Sequence, residues 1–394
     1  MPHPLQGTTS SSPARRTRAE DYLEALQDRI YGSLGVTADE CQQREWLGQQ
    51  VVLPERLRQK AIELPGPEFE RYRDALFEGL ARDEAAPRPT RFERPHQYSI
   101  LRELKTTIER AAAKLDFDLP VRPVIGTLPM QSLEPMMLRV PESNDVIVLV
   151  DGSLLTYSNL LAKAVAQALP FDVPEAGEAV LVPPGPDWVR RIDEQGTARA
   201  RFLELMLATM DGRPASAPPY LPEPRYEHVA ADLCDFMEIF VLAREYARIV
   251  EGDHRCQKMR RRSVHGQAFD ALTWNADQEL RADNIALVLL LAAANDEGAS
   301  LAWAFWAADV FLASLAMLDR AAWLSRGSTG QAIATPMPDV HEQRRGSLRA
   351  LLRSWDGGQQ AVAFADTLQP VLDTLESALE MHFYDERYAD VAVH

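Results

Sequence analysis

The residues most able to do chemistry lie in residues 236–254, where a glutamate stands between two arginines in the order Arg244-Glu245-x-x-Arg248. Apolar residues recur at intervals of three and four over residues 229–250, which predicts a helix with one buried stripe. Residues four apart share a helix face. The pattern therefore predicts both guanidinium groups on one side of the helix, with the carboxylate of Glu245 beside them.

This stretch has the spacing of the zinc-binding motif H-E-x-x-H, with arginine in place of both histidines. In that motif the histidines bind the metal and the glutamate activates a water molecule. A guanidinium group stays protonated in proteins and has no lone pair for a metal. We therefore predict that zinc is absent and that no other cofactor is bound. A displaced metal held by His254, His265 or His228 is the alternative.

Two further carboxylates follow at the start of a second predicted helix, which continues to about residue 293. Glu279 and Asp283 are four residues apart and face the same way. A buried carboxylate at the start of an apolar helix needs a positive partner or a metal. We expect Arg244 and Arg248 to supply that charge through charge-assisted hydrogen bonds to these carboxylates and to Glu245.

Three short apolar or β-branched runs precede these helices, at residues 122–128, 135–140 and 146–150. A turn at residues 141–145 separates the last two runs, which is typical of a β-hairpin. Helical patterns flank the group on both sides. The sequence therefore predicts a predominantly helical α+β fold with a small sheet.

The order of these elements resembles the gluzincin metallopeptidases of the HtpX type and their soluble bacterial relatives. Those enzymes have H-E-x-x-H, then E-x-x-x-D, then a His-Pro segment followed by an arginine. This chain has R-E-x-x-R, then E-L-R-A-D over residues 279–283, then His341 with Arg344 and Arg345. Glu342 stands where the family has proline. The resemblance covers about residues 120–350 and implies a zincin-like small sheet beside an active-site-type helix.

The resemblance also implies a role for each matching position. Arg244 and Arg248 stand at two former zinc-ligand positions, Glu279 at the third, and Glu245 at the former catalytic base. The supporting positions are Asp283, His341, Arg344 and Arg345. The edge strand that aligns a substrate peptide by main-chain pairing would comprise Met136, Met137, Leu138 and Arg139.

Three regions follow from the patterns along the chain. Residues 1–18 are rich in Ser, Thr, Pro and Arg and are expected to form a disordered tail. Residues 19–119 read as a helical N-terminal lobe without a chemical motif. Residues 120–394 then form the zincin-like domain with its C-terminal helices.

Composition restricts the partners. The formal charge of −16 argues against nucleic acid or an anionic membrane, since both reward a positive surface. The dense basic run Lys258–Arg262 is expected to be a solvated helix end or loop. Three unpaired cysteines indicate a reducing compartment, so we expect a cytoplasmic protein. The long apolar run Ala299–Leu318 is expected to be a buried core helix rather than a membrane span.

These observations favour a catalytically inactive, metallopeptidase-like protein. We expect it to bind a peptide or protein, or to regulate a partner, through the retained cleft. An active peptidase with a displaced metal and a purely helical scaffold are the alternatives. The sequence does not indicate the oligomeric state.

Overall fold

A computed structural model describes residues 16–41, 53, 56–58, 60–62, 66–172, 180–182, 188–194, 196–213, 216–255, 258–328 and 340–391 of the chain. Most of the predicted tail and Cys256 lie outside these ranges. The end of that tail is helical, because Arg18 begins the first helix. Thr17 and Glu20 form a capping box there, each side chain accepting a hydrogen bond from the other residue's backbone N–H.

Helices dominate the described residues, as predicted, and short strands make up the rest of the regular structure. The helices are α1 (Arg18–Ser33), α2 (Pro67–Ala85), α3 (Pro95–Lys114), α4 (Gly152–Ala168), α5 (Trp188–Asp193), α6 (Gly196–Met210), α7 (Pro224–Val250), α8 (Ala276–Asp296), α9 (Leu301–Ser328), α10 (Val340–Arg353) and α11 (Gly358–Val391). The strands are β1 (Val124–Thr127), β2 (Met136–Arg139), β3 (Val146–Val150), β4 (Phe171–Asp172), β5 (Val180–Leu181), β6 (Met259–Val264) and β7 (Gln267–Leu272).

The three predicted strands form one sheet in the order β1-β3-β2, with β3 parallel to β1 and antiparallel to β2. All five residues of β3 are buried, because it has a neighbour on each side and packing on both faces. Ile147 and Leu149 pack in a cluster with α1, whereas Val148 packs in the main core with α3, α4 and α7. Strand β2 is therefore an edge strand of this sheet.

Helix α7 lies at the centre of the main core, against α3, α4, α8 and α9. Residues 236–249 are all buried, so the prediction of a single buried stripe on this helix was wrong. The polar residues among them include Arg244, Glu245 and Arg248. Because no side of α7 faces water here, each of these charges must find its partner inside the protein.

The apolar run forms α9. Its segment Leu301–Ser325 is the one described helix long and apolar enough to cross a membrane, and 72% of its most apolar window is buried inside the fold. Asp309, the charged residue within the apolar run, is fully buried. Arg345 and Arg349 of α10 bind that carboxylate, so α9 has the packing and charge pairing of a core helix.

The basic run Lys258–Arg262 enters a β-hairpin, so the expectation of a helix end or loop was wrong. Strand β6 pairs antiparallel with β7, and His265 and Gly266 connect them. Both connecting residues have positive φ, 48° and 78°, as a two-residue type I′ turn requires. The hairpin packs beside β2.

The two N-terminal helices α1 and α3 share buried clusters with later elements. Helix α1 packs under the sheet, and α3 packs against α7 and α8. The boundary predicted at residue 119 stays a prediction.

Candidate functional site

The packing of α7 against α8 brings the predicted arginines and carboxylates together. Arg244, whose side chain is 2% exposed, donates from Nη2 to Glu279 Oε2 at 2.7 Å. Its Nη1 donates to Glu134 Oε1 at 2.7 Å, and its Nε lies 2.7 Å from Asp283 Oδ1. Each of the three guanidinium nitrogens therefore faces a different carboxylate.

Arg248, one helical turn further along α7, shares one of these partners. Its Nη2 donates to the same Oε2 of Glu279 at 2.7 Å, and its Nη1 donates to Glu245 Oε1. Its guanidinium lies 5.1 Å from the centre of the Trp274 ring, within the range of a cation–π contact. Glu279 is therefore held by both arginines of the R-E-x-x-R stretch.

Helix α10 adds a third arginine. Arg344 donates from Nε and Nη2 to the two oxygens of Asp283, at 2.6 and 3.0 Å, which is a bidentate pair. Its Nη1 donates to Glu134 Oε1 at 3.0 Å and lies 3.2 Å from His341 Nδ1. Asp283 is fully buried, so it depends on Arg344 and Arg244 for its stability as an anion. We call these seven charged residues the arginine–carboxylate cluster: Arg244, Arg248, Arg344, Glu134, Glu245, Glu279 and Asp283.

Charges in the cluster nearly cancel, because three guanidinium groups face four carboxylates. The surrounding protein raises the pKa of Glu134, but Arg244 and Arg344 outweigh this and hold that pKa well below its ordinary value. Burial raises the pKa of Glu245 above its ordinary value against the opposing guanidinium charges. Burial and then Arg344 lower the pKa of His341, which favours a neutral imidazole beside the arginine.

The donor set of the cluster does not fit zinc. A catalytic zinc normally has three protein ligands and an open position for water. Here Arg244 and Arg248 present guanidinium groups, which have no lone pair for a metal, and Oε2 of Glu279 already accepts hydrogen bonds from both.

None of the three histidines considered as replacement ligands belongs to a metal-ligand group among the described residues. The one such group in that part of the chain comprises Cys234, Asp235 and Glu238, on α7. Its ligand atoms lie within 4.8 Å of one another. Cys234 Sγ donates to Glu238 Oε1 at 3.4 Å, so these side chains already partner each other.

A cleft of about 260 Å³ opens above the arginine–carboxylate cluster. Arg244, Arg248 and Glu279 line its floor, the β6–β7 hairpin lines one side, and the start of β2 lines the other. The full lining comprises Ser132, Glu134, Pro135, Met136, Met137, Arg244, Arg248, Arg260, Arg262, Leu272, Thr273, Trp274 and Glu279.

Strand β2 comprises the four residues predicted for an edge strand, Met136, Met137, Leu138 and Arg139. Met136 and Met137 line the cleft, whereas Leu138 packs with α1 and the hairpin. The guanidinium of Arg139 points elsewhere and lies 3.4 Å from the carbonyl oxygen of His254.

Half of the backbone groups of β2 face away from β3. The N–H of Val140 donates to Asp145, and antiparallel partners alternate between hydrogen-bonded and non-hydrogen-bonded pairs. Leu138 and Met136 therefore bond to β3, while Met137 turns its N–H and C=O away from β3, toward the side where the hairpin packs and where the residue is only 1% exposed. Among the described residues, no other backbone segment pairs with that edge.

The structure separates the two neighbouring arginines of α10. Arg344 enters the cluster, whereas Arg345 donates from Nε and Nη2 to Asp309 of α9, at 3.1 and 3.0 Å. His341 lies at the edge of the cluster, with Nε2 3.4 Å from Asp319. Of the predicted supporting residues, Asp283, His341 and Arg344 lie together and Arg345 lies in a different ion-pair group.

Sequence reasoning missed Glu134, Trp274, Arg260 and Arg262. Glu134 stands two residues before β2, so the sequence places a carboxylate next to the predicted edge strand. That position could have identified Glu134 as a site residue. Trp274 directly precedes Asn275, the N-cap of α8. The arginines of β6 required recognition of the His-Gly turn that makes their segment a hairpin.

Comparison with known protein families, curated proteins and solved structures finds no match to this chain.

Proposed function

We propose that this chain is a catalytically inactive, metallopeptidase-like protein with a zincin-like sheet, which binds an extended peptide or protein segment through the cleft beside β2. One observation carries the proposal. Arg244 and Arg248, which the resemblance assigns to two former ligand positions, both bind Glu279, which it assigns to the third, on the floor of a cleft beside an edge strand.

In this proposal Glu245 does not act as a catalytic base, because its surroundings separate it from the cleft. A general base must reach the water that it activates. The side chain of Glu245 is 1% exposed, it does not line the cleft, and it accepts a hydrogen bond from Arg248. Because the donor set does not fit zinc and Glu245 does not reach the cleft, the proposal assigns recognition to this site.

The open edge of β2 supports binding of an extended segment. A peptide strand added to a sheet edge gains main-chain hydrogen bonds, and its alternate side chains enter pockets beside the edge. Met137 and Arg139 have N–H and C=O groups on the edge of β2 that no described strand pairs with. The 260 Å³ volume lies next to that edge and accommodates a few side chains rather than a domain.

Elemental analysis of the purified protein, combined with peptide capture, tests the proposal. We expect less than stoichiometric zinc and no cleavage of a degenerate peptide library in the presence of added zinc. The same library, captured on immobilised protein, should protect the amides of Met137 and its neighbours from hydrogen exchange. Stoichiometric metal with cleavage would establish the active peptidase with a displaced metal instead, and protection nowhere in β2 would favour a scaffold.

The double substitution Arg244→His and Arg248→His tests the descent of the site. It restores two imidazoles four residues apart beside Glu279, which is the donor set of a three-ligand zinc site. We expect one zinc per chain in the double variant and none after either single substitution. Absence of zinc from a folded double variant would contradict the derivation from a metallopeptidase.

A further inference from the structure

The arginines that line the cleft are of two kinds. Arg244 and Arg248 on the floor are buried and paired with carboxylates. Arg260 and Arg262 on the hairpin wall are exposed, and no described carboxylate lies within ion-pair distance of either. The wall therefore holds two cations without a protein partner in the described part of the chain.

The lining of the cleft is positive in a protein that is otherwise acidic. Four arginines line it against the two carboxylates Glu134 and Glu279. Including the buried Glu245, Asp283 and Arg344 leaves five cations against four anions. The whole chain carries −16. The local excess of positive charge therefore lies at the wall, where a ligand arrives.

The spacing of the two wall arginines suits an extended ligand. Arg260 and Arg262 are two residues apart on β6 and both line the cleft, so their Cα atoms are about 6.5 Å apart. Alternate side chains on one face of an extended peptide have the same spacing. Arg261 lies between them on the opposite face, where it is paired in register with Asp270.

We propose that the cleft binds an acidic segment of another protein, in extended conformation, with carboxylate side chains at two alternate positions that bind Arg260 and Arg262. This inference rests on the proposed peptide-binding function and specifies its ligand. Guanidinium groups recognise carboxylates through paired, charge-assisted hydrogen bonds. Main-chain pairing with the unpaired edge of β2 sets the register, and the two arginines select the side chains.

Three pooled decapeptide libraries test the ligand class. Each is degenerate except at two alternate central positions, which are fixed as Glu, Gln or Lys. The immobilised full-length protein captures each pool at about 0.05 M salt, and mass spectrometry measures the bound amount. We expect the Glu pool to be retained about tenfold more than the Gln pool and the Lys pool least, with the preference declining at higher salt.

Variants of one strand supply the matched control. The double substitution Arg260→Ala and Arg262→Ala should reduce retention of the Glu pool about tenfold and leave the Gln pool unchanged. Arg261→Ala removes the same side chain from the opposite face of β6 and should change retention less than about twofold. Equal losses in both variants would show nonspecific attraction and overturn the proposal.

The remaining outcomes separate this inference from the proposed function. Equal retention of the Glu and Gln pools, both weakened by Met137→Pro relative to Met137→Ala, would reject the acidic ligand and leave edge-strand binding intact. No retention of any pool would overturn both proposals. Retention of a single-stranded oligonucleotide with the same dependence on Arg260 and Arg262 would replace the acidic peptide with a nucleic acid.

Discussion

Buried charge in this protein is arranged around single residues with several partners. Asp283 accepts a bidentate pair from Arg344 and contacts Arg244, while Glu279 is shared by two arginines. An ion pair inside a protein contributes little relative to apolar residues of the same volume, but removing one partner leaves an uncompensated charge. The cluster is therefore intolerant of single substitutions.

Substitution of Asp283 measures that intolerance. Asp283→Asn leaves Arg244 and Arg344 with fewer anionic partners at a fully buried position, so we expect the free energy of unfolding to fall by about 3–5 kcal/mol in urea titrations. The same change at Asp319, whose side chain is 47% exposed, should cost less than about 0.5 kcal/mol. Similar losses at the two positions would show that the cluster is not an energetic unit.

A second buried carboxylate predicts a pH dependence of stability. Burial and then the charge of Asp235 raise the pKa of Glu238 from 4.5 to about 8. Between these values the folded chain holds a proton that the unfolded chain has released. The free energy of unfolding therefore falls as pH rises through this range, and the loss is complete above about pH 8.

Glu238→Gln should remove this contribution, because the amide does not ionise. Unfolding measured at pH 5, 7 and 9 should show a smaller loss of stability in the variant than in the wild type. Each pKa unit corresponds to at most about 1.4 kcal/mol of that difference. Glu194→Gln, at a side chain that is 60% exposed, should leave the wild-type pH profile unchanged. Parallel profiles for wild type and Glu238→Gln would contradict the raised pKa.

At the scale of elements, the contact between α1 and the sheet depends on a glycine. A Cβ at Gly126 of β1 would lie 2.4 Å from Leu23 Cδ2 and 3.1 Å from Glu93 Oε1. Both neighbours are fully buried. Glu93 also accepts hydrogen bonds from Gln27 and Thr127, which tie α1 to β1.

Gly126→Ala should therefore loosen α1. We expect a loss of about 1–3 kcal/mol from overpacking, with faster amide exchange in α1 than in α7. Gly79→Ala in α2 is the matched control, since nothing lies within 4 Å of a Cβ there. In mid-helix that change should stabilise by about 0.5–1 kcal/mol. A neutral effect at Gly126 would show that Leu23 has room to move.

The elements that the sequence predicted are those specified by local periodicity. Helical spacing alone places Arg244 and Arg248 on one face of α7. It likewise places Glu279 and Asp283 on one face of α8. The convergence of Glu134 and Arg344 on these residues joins positions 210 apart in the chain, and no local pattern contains that information. The β6–β7 hairpin was missed because three consecutive arginines are typical of a solvated helix end or loop. The His265-Gly266 turn and the packing of the hairpin beside β2 make this segment a strand.

At the scale of the whole molecule, a strongly negative net charge coexists with a positively charged cleft. The −16 of the chain correctly describes its average surface but says nothing about a cleft lined by four arginines. Local periodicity misjudged the central helix, because α7 is surrounded on all sides by α3, α4, α8 and α9. Burial on every side is a property of the assembled core, and a single helix cannot reveal it.

The arginine–carboxylate cluster makes the shape of the cleft independent of the supply of metal ions. A zinc site forms only when the ion is available and its ligands are deprotonated, so chelators, scarcity and mild acid all dismantle it. Guanidinium groups are attached covalently and keep their charge across the biological pH range. The charges that organise this cleft are therefore translated with the chain, and no ion has to be acquired before the cleft is complete.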